Sequence, residues 1–288
     1  MMPIAMIVGG VFYEYFESLS FCTPWLIAVM LFISYSKISL KDIRVTRLHM
    51  LLLSIQVIGS ITLLLAMMPF DKVMAQGAMI CVLAPTATSA VVITAMLGGN
   101  TGSLTTYSIL SNTTVTLVAP VIFAMIGEHA DMSFSESAFE IFRRVFGLLL
   151  LPFICALFFK RYWPKFNRVV QNSQILSFYL WTLALAIVSG KTVYFIIFQG
   201  KSHYFEEILI ALIALVICLT QFFTGRVLGK KFDDTIAGGQ GLGQKNTILA
   251  IWMSQTYLDP ISSIAPGAYV LWQNIVNSYQ VWLKRKKL

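Results

Sequence analysis

Gly238-Gly239-Gln240-Gly241-Leu242-Gly243-Gln244-Lys245-Asn246-Thr247 lies inside a stretch, roughly 233–257, that is long enough to cross a bilayer. Its four glycines would weaken a continuous helix by several times the roughly 1 kcal/mol that one glycine costs. Unwound backbone at membrane depth is tolerated only where it is buried in protein or lines a cavity. Lys245 sits at that break. All 13 Asp and Glu residues fall in loops or near the ends of apolar runs, so no carboxylate is available to pair with it. A lone ammonium at depth costs about 2.5 kcal/mol or more, so the charge reads as functional.

The surroundings are those of an all-α polytopic membrane protein. The chain has 288 residues, 57% hydrophobic and 12% charged, where a soluble domain carries roughly 25% charged residues. Ten spans are expected, at roughly 2–16, 21–37, 48–68, 73–98, 103–127, 136–159, 172–196, 205–228, 233–257 and 262–283. The first apolar run starts at Met1 without a basic leader, so no cleavable signal is expected. The segments 37–47, 160–168, 226–231 and 284–287 hold 15 of the 21 Lys and Arg. With ten spans they share one side. The opposite loops hold Lys72, Arg143, Arg144, Lys191 and Lys201, with 10 of the 13 acids. This asymmetry places both termini in the cytoplasm by the positive-inside rule; the expected location is a bacterial inner membrane. The net charge of +8 is thus a topology signal rather than a nucleic-acid footprint. Cys22, Cys81, Cys155 and Cys218 all lie in apolar segments without metal-ligand spacing and read as packing residues.

Span four is interrupted as well, by Ala84-Pro85-Thr86-Ala87-Thr88-Ser89. Proline removes a backbone donor and clashes with the preceding turn. Pro85 and Gly241 lie 156 residues apart, each in the fourth span of a five-span half. Five is odd, so the halves, 1–130 and 131–288, have opposite topology. Interrupted helices at matching places in inverted halves are the sequence mark of a secondary transporter's midplane site.

At these residues the chain resembles the bile acid:sodium symporter family, over essentially its whole length. Span four in that family reads Pro-Gly-Gly-Thr-Ala-Ser-Asn; here it is Pro85-Thr86-Ala87-Thr88-Ser89-Ala90-Val91, then Gly99-Asn100. Span nine reads Glu-x-Gly-x-Gln-Asn-Ser/Thr; here it is Gly241 to Thr247, with Leu249-Ala250 after. Gln56 matches a span-three glutamine, and Trp272-Gln273-Asn274 a span-ten cluster. The resemblance implies an inverted five-plus-five repeat with crossed broken helices four and nine. It also implies a core of spans 3–5 and 8–10 and a panel of spans 1, 2, 6 and 7.

The departures lie at the family's two sodium sites. One uses the span-four Ser-Asn pair, span-five hydroxyls and the span-nine glutamate. Here these are Ala90 and Val91, Ser108 with Ser103 nearby, and Gly241. The other uses that glutamate, span-nine carbonyls and glutamine, and the span-three glutamine. Here it falls on Gly241, Leu242, Gln244, Lys245 and Gln56. A hard cation needs oxygen ligands, anionic ones above all, and the carboxylate is gone. One carboxylate with two sodium ions leaves a single positive charge, and Lys245 alone leaves the same. The expectation is that its ammonium replaces bound sodium, donating to Gln56 and to carbonyls freed at the breaks. Two other readings stand beside it: a side chain snorkelling to an interface, or one that exchanges its proton and couples transport to the proton gradient.

Half-helix N-termini bind carboxylates, and family alignment brings Thr88, Asn246, Thr247 and Asn274 there, with Gln273 nearby. The implied substrate is an organic anion, bile-acid-like or a small carboxylate. No cofactor or metal is implied. Other patterns fail: Gly238–Thr247 lacks phosphate-loop order, Asn112-Thr113-Thr114 is a sequon inside a span, and His49, His129 and His203 are scattered over span ends. Arg143 and Arg144 read as solvated. A ligand sensor derived from a carrier is the competing class. An intramembrane enzyme finds no support, because no carboxylate pair or Cys/His pair lies at depth.

Overall fold

The computed structural model describes residues 2–38, 43–127, 133–198 and 204–286. Lys41, His129, Lys201, His203 and Lys287, counted above among loop residues, lie outside them. The described residues form fifteen α-helices. They are α1 (Met2–Val11), α2 (Tyr13–Ser18), α3 (Thr23–Tyr35), α4 (Arg47–Met67), α5 (Lys72–Leu83), α6 (Ala90–Leu97), α7 (Thr101–Ile126), α8 (Phe134–Leu149), α9 (Leu151–Tyr162), α10 (Pro164–Asn172), α11 (Gln174–Phe198), α12 (Tyr204–Lys230), α13 (Thr235–Gly243), α14 (Thr247–Tyr257) and α15 (Ile264–Lys286). Five are long and apolar enough to cross a membrane, counting Phe134–Tyr162 as one: these are α4, α7, that pair, α11 and α12. The remaining expected spans correspond to shorter or divided helices.

Several expected boundaries move, for identifiable reasons. Span six divides at Leu150, where Pro152 cannot donate to the preceding turn. The basic loop expected at 160–168 contains α10, opened by Pro164 at its first position. One side of α10 is turned inward, with Asn167 and Val170 buried.

Two compact units emerge. The first comprises Met1–Ser39, Thr116–Ser202 and Ile251–Ile261. In it α1 packs on α11, and a side chain on Gly9 would strike the Ala186 carbonyl. Where α3 ends, the Ser36 carbonyl accepts from Asn167 Nδ2 and from Gln171 Nε2, the latter at 2.8 Å. Lys160 Nζ caps the next turn on the Ile38 carbonyl at 2.7 Å.

The second unit comprises Leu40–Val115, His203–Ala250 and Ser262–Leu288. Its tightest pairing joins α12 to α13 through a turn in which Asp233 takes a left-handed conformation, φ 56°, one that aspartate tolerates. The glycine run expected to unwind span nine stays helical to Gly243. Close packing explains it: a Cβ on Gly238 would lie 2.3 Å from the Gly225 carbonyl oxygen and 2.9 Å from the Gly229 Cα. The glycines let two helix backbones touch, and the break falls just beyond them, at Gln244–Asn246.

Candidate functional site

The site is built where two helices stop. Helix α5 ends at Leu83 because Pro85 has no N–H to offer and the chain turns extended at Ala84, ψ 139°. Carbonyls at a helix end must find other donors or remain unsatisfied in an apolar surround. Each finds one. Ile80 accepts from the Ala84 N–H, and Cys81 from Gln221 Nε2 at 3.2 Å. Val82 accepts from Lys245 Nζ at 2.7 Å, and Leu83 and Ala84 from Gln56 Nε2 at 2.7 and 3.2 Å. Pro85 accepts from the Asn246 N–H at 2.8 Å.

The second break answers the first. Thr86 and Lys245 face each other as an antiparallel bridge, flanked by the Asn246 N–H on Pro85 and by the Ala87 N–H on the Gln244 carbonyl at 3.0 Å. Thr86 Oγ1 donates to the Gly241 carbonyl at 2.8 Å. The exchange is reciprocal: residue 86 reaches the carbonyl four before 245, and residue 245 the carbonyl four before 86. Tyr269 OH closes the Gly243 carbonyl at 2.8 Å, and Gln273 Oε1 accepts from the Lys245 N–H at 2.9 Å.

Lys245 is 1% exposed, and its side chain turns inward onto a helix end rather than out to an interface. The C-terminus of α5 carries partial negative charge from its aligned peptides, and a charge-assisted bond at this length is among the stronger kinds. The expected bond to Gln56 is absent. Gln56 Oε1 already accepts from Tyr107 OH and Ser111 Oγ, both at 2.9 Å. Gln56 and Lys245 therefore cap neighbouring carbonyls of one helix end instead of each other.

The positions that the resemblance aligns with sodium ligands are occupied as follows. Ala90, Leu104 and Ala237 form a buried apolar cluster with Val91 packed against it. A Cβ on Gly241 would lie 2.9 Å from the Tyr107 ring, so the space for a larger residue there is occupied by that tyrosine. Leu242 is buried with Tyr107 in the cluster around Leu48 and Leu52. Ser108 is buried, and its carbonyl holds Asn112 Nδ2. Ser103 Oγ pairs with His49 Nε2 at 2.9 Å. Gln244 Nε2 bonds Ser89 Oγ at 2.9 Å.

Among the residues aligned with substrate contacts, Gln273 and Thr247 are buried and touch each other at 3.5 Å. Thr88, Asn246 and Asn274 are half-buried. Asn246 Oδ1 caps α14 on the Leu249 N–H at 3.3 Å, and Asn274 Nδ2 donates to the Val270 carbonyl of its own helix. Thr88 has no hydrogen-bond partner among the described residues. Asn112 of the sequon is buried within α7, and Arg143 and Arg144 both pair with Glu140. No metal-binding group of His, Cys, Asp or Glu occurs among the described residues.

Sequence reasoning missed Tyr107, Ser111, Gln221 and Tyr269. Gln221 carried a legible signal, being the one amide side chain in α12 and lying in its apolar middle. The two tyrosines carried none.

A family model described as the sodium bile acid symporter family matches residues 24–199. No curated protein matches the chain. That match spans more than half of a chain whose described residues are nearly all helical and include membrane-length apolar helices, and the chain belongs to the sodium bile acid symporter family, a family of integral membrane transporters.

Proposed function

We propose that the protein carries organic anions by alternating access without sodium, with the Lys245 ammonium standing where the family binds the ion. The observation that carries this reading is the bond from Lys245 Nζ to the Val82 carbonyl. It brings a fixed positive charge to the end of α5 at a helix crossing. Support comes from Tyr107 beside Gly241 and from the apolar packing of Ala90 and Val91, neither of which offers ligands to a hard cation. The reading takes ten spans in two inverted halves, with α5–α6 and α13–α14 as the paired broken helices and both termini cytoplasmic. The anion contacts would be Thr88, Asn246 and Asn274, each of which keeps a donor: the Thr88 hydroxyl, Asn246 Nδ2 and the second Nδ2 hydrogen of Asn274. Gln273 and Thr247 would hold the crossing in place.

One observation favours a second reading, a proton-coupled carrier. An ammonium has three donors, and only one of them has an acceptor among the described residues. A neutral amine would keep that one bond, so the proton can leave without breaking it.

Uptake of a bile acid and of a panel of small carboxylates into liposomes, with and without sodium, tests the main reading. Equal uptake under both conditions, lowered at least tenfold by Lys245→Gln, is expected. Sodium-stimulated uptake by the unmodified protein would sink it. Proton flux in fixed ratio to anion flux would select the second reading.

A further inference from the structure

Away from the crossing, the basic end of the second unit holds a polar cluster that the proposed transport chemistry leaves unused. Arg226 on α12 runs its stem over α13, where a Cβ on Gly239 would lie 2.5 Å from the Arg226 Cγ. Its Nη1 donates to Gln280 Oε1 on α15 at 3.1 Å. Gln240 on α13 donates through Nε2 to Asn277 Oδ1 at 3.0 Å and to Gln280 Oε1 at 3.3 Å. Gln240 and Asn277 are 1% and 4% exposed. Each nonetheless has a buried polar atom without a partner among the described residues, Gln240 Oε1 and Asn277 Nδ2. Arg226 forms no ion pair with a described carboxylate.

Buried polar atoms in native proteins are nearly always paired, so an orphan acceptor and an orphan donor beside one unneutralised guanidinium ask for the same kind of guest. It must be anionic, accept from Asn277 and Arg226, and donate to Gln240. A carboxylate only accepts, whereas a hydrogen phosphate, or a phosphodiester carrying a nearby hydroxyl, does both. Turning both amides through half a rotation exchanges their roles and still leaves one donor and one acceptor. The surroundings suit an anion: Gln273, Asn277, Gln280 and Lys284 recur at helical spacing along one face of α15, and Lys284 Nζ lies where a Cβ on Gly98 would meet it, at 3.2 Å.

We propose that Arg226, Gln240, Asn277 and Gln280 form a binding site for a phosphate-type oxyanion, either free in solution or carried on a lipid headgroup. The full chain would be placed in nanodiscs of phosphatidylcholine and titrated with inorganic phosphate, with thermal unfolding as the readout. Parallel discs would contain phosphatidylglycerol. A saturable rise in midpoint with phosphate identifies the free anion. A rise only with phosphatidylglycerol identifies the headgroup. In either case the dissociation constant, or the lipid fraction giving half the effect, should rise at least tenfold in Arg226→Gln and in Asn277→Leu. The second substitution leaves every charge in place and serves alone if the first fails to fold. No response to either ligand, or variants that respond as the unmodified protein does, overturns the proposal. Binding is read without transport, so a failed uptake assay leaves this test standing.

Discussion

Tyr107 changes what any single substitution at the crossing can achieve. Its hydroxyl donates to Gln56 Oε1, and its ring fills the volume beside Gly241. Removing the hydroxyl in Tyr107→Phe should cost about 1 kcal/mol, the usual net worth of one hydrogen bond. Gly241→Ala should cost about 1–3 kcal/mol through overpacking against that ring. Adding Tyr107→Ala should recover part of the Gly241→Ala cost, because the ring it strikes is gone. Unfolding midpoints of the single and double variants measure this coupling, and strict additivity would refute the contact. That a glycine stands at 241, beside Lys245, was legible in the sequence alone. The tyrosine that occupies the space was not, because residues 107 and 241 have no neighbourhood in sequence. The same distance hid the true partner of Lys245. The residues foretold an ammonium on freed carbonyls, but not that Gln56 would be committed elsewhere.

Among elements, proline and glycine proved unequal as signs of a broken helix. Pro85 stops α5 for a local reason, the missing N–H, and local reasons can be read from sequence. Glycine has two uses, unwinding and close approach, and only the neighbouring helix decides between them. In α13 the neighbour is α12, whose Gly225 and Gly229 lie against Gly238. Gly238→Ala should therefore destabilise the α12–α13 pair by about 2 kcal/mol or more. A substitution to alanine at a helical glycine with room for a Cβ, such as Gly147, where nothing lies within 4 Å, should be neutral or stabilising. Comparing the two unfolding midpoints tests whether the run is there for packing. A stabilised Gly238→Ala would return it to the unwinding role.

For the whole molecule, the ion dependence of transport is the property at stake. Introducing Gly241→Glu, Lys245→Gln, Ala90→Ser and Val91→Asn together should not by itself confer sodium-stimulated uptake, because the Tyr107 ring fills the space beside residue 241. The same four changes with Tyr107→Ala should confer it. Uptake against sodium concentration for the two combinations separates the outcomes, and sodium dependence in the first would mean the tyrosine yields. The all-helical membrane class was readable from composition and the length of apolar runs. Helix α10, set within a stretch rich in basic residues, was not, because its buried side is formed only by Asn167 and Val170.

The reciprocal capping at the two breaks also bears on how the chain is made. Val82 and its donor Lys245 are 163 residues apart in sequence, and Thr86 waits as long for the Gly241 carbonyl, 155 residues on. When α5 and α6 leave the ribosome, the groups that will cap Cys81, Val82 and Pro85 have yet to be synthesised. Gln56 alone of the side-chain donors already exists. Those carbonyls therefore reach their final donors only after residues 221, 245 and 246 have been made, so the first break finishes folding late.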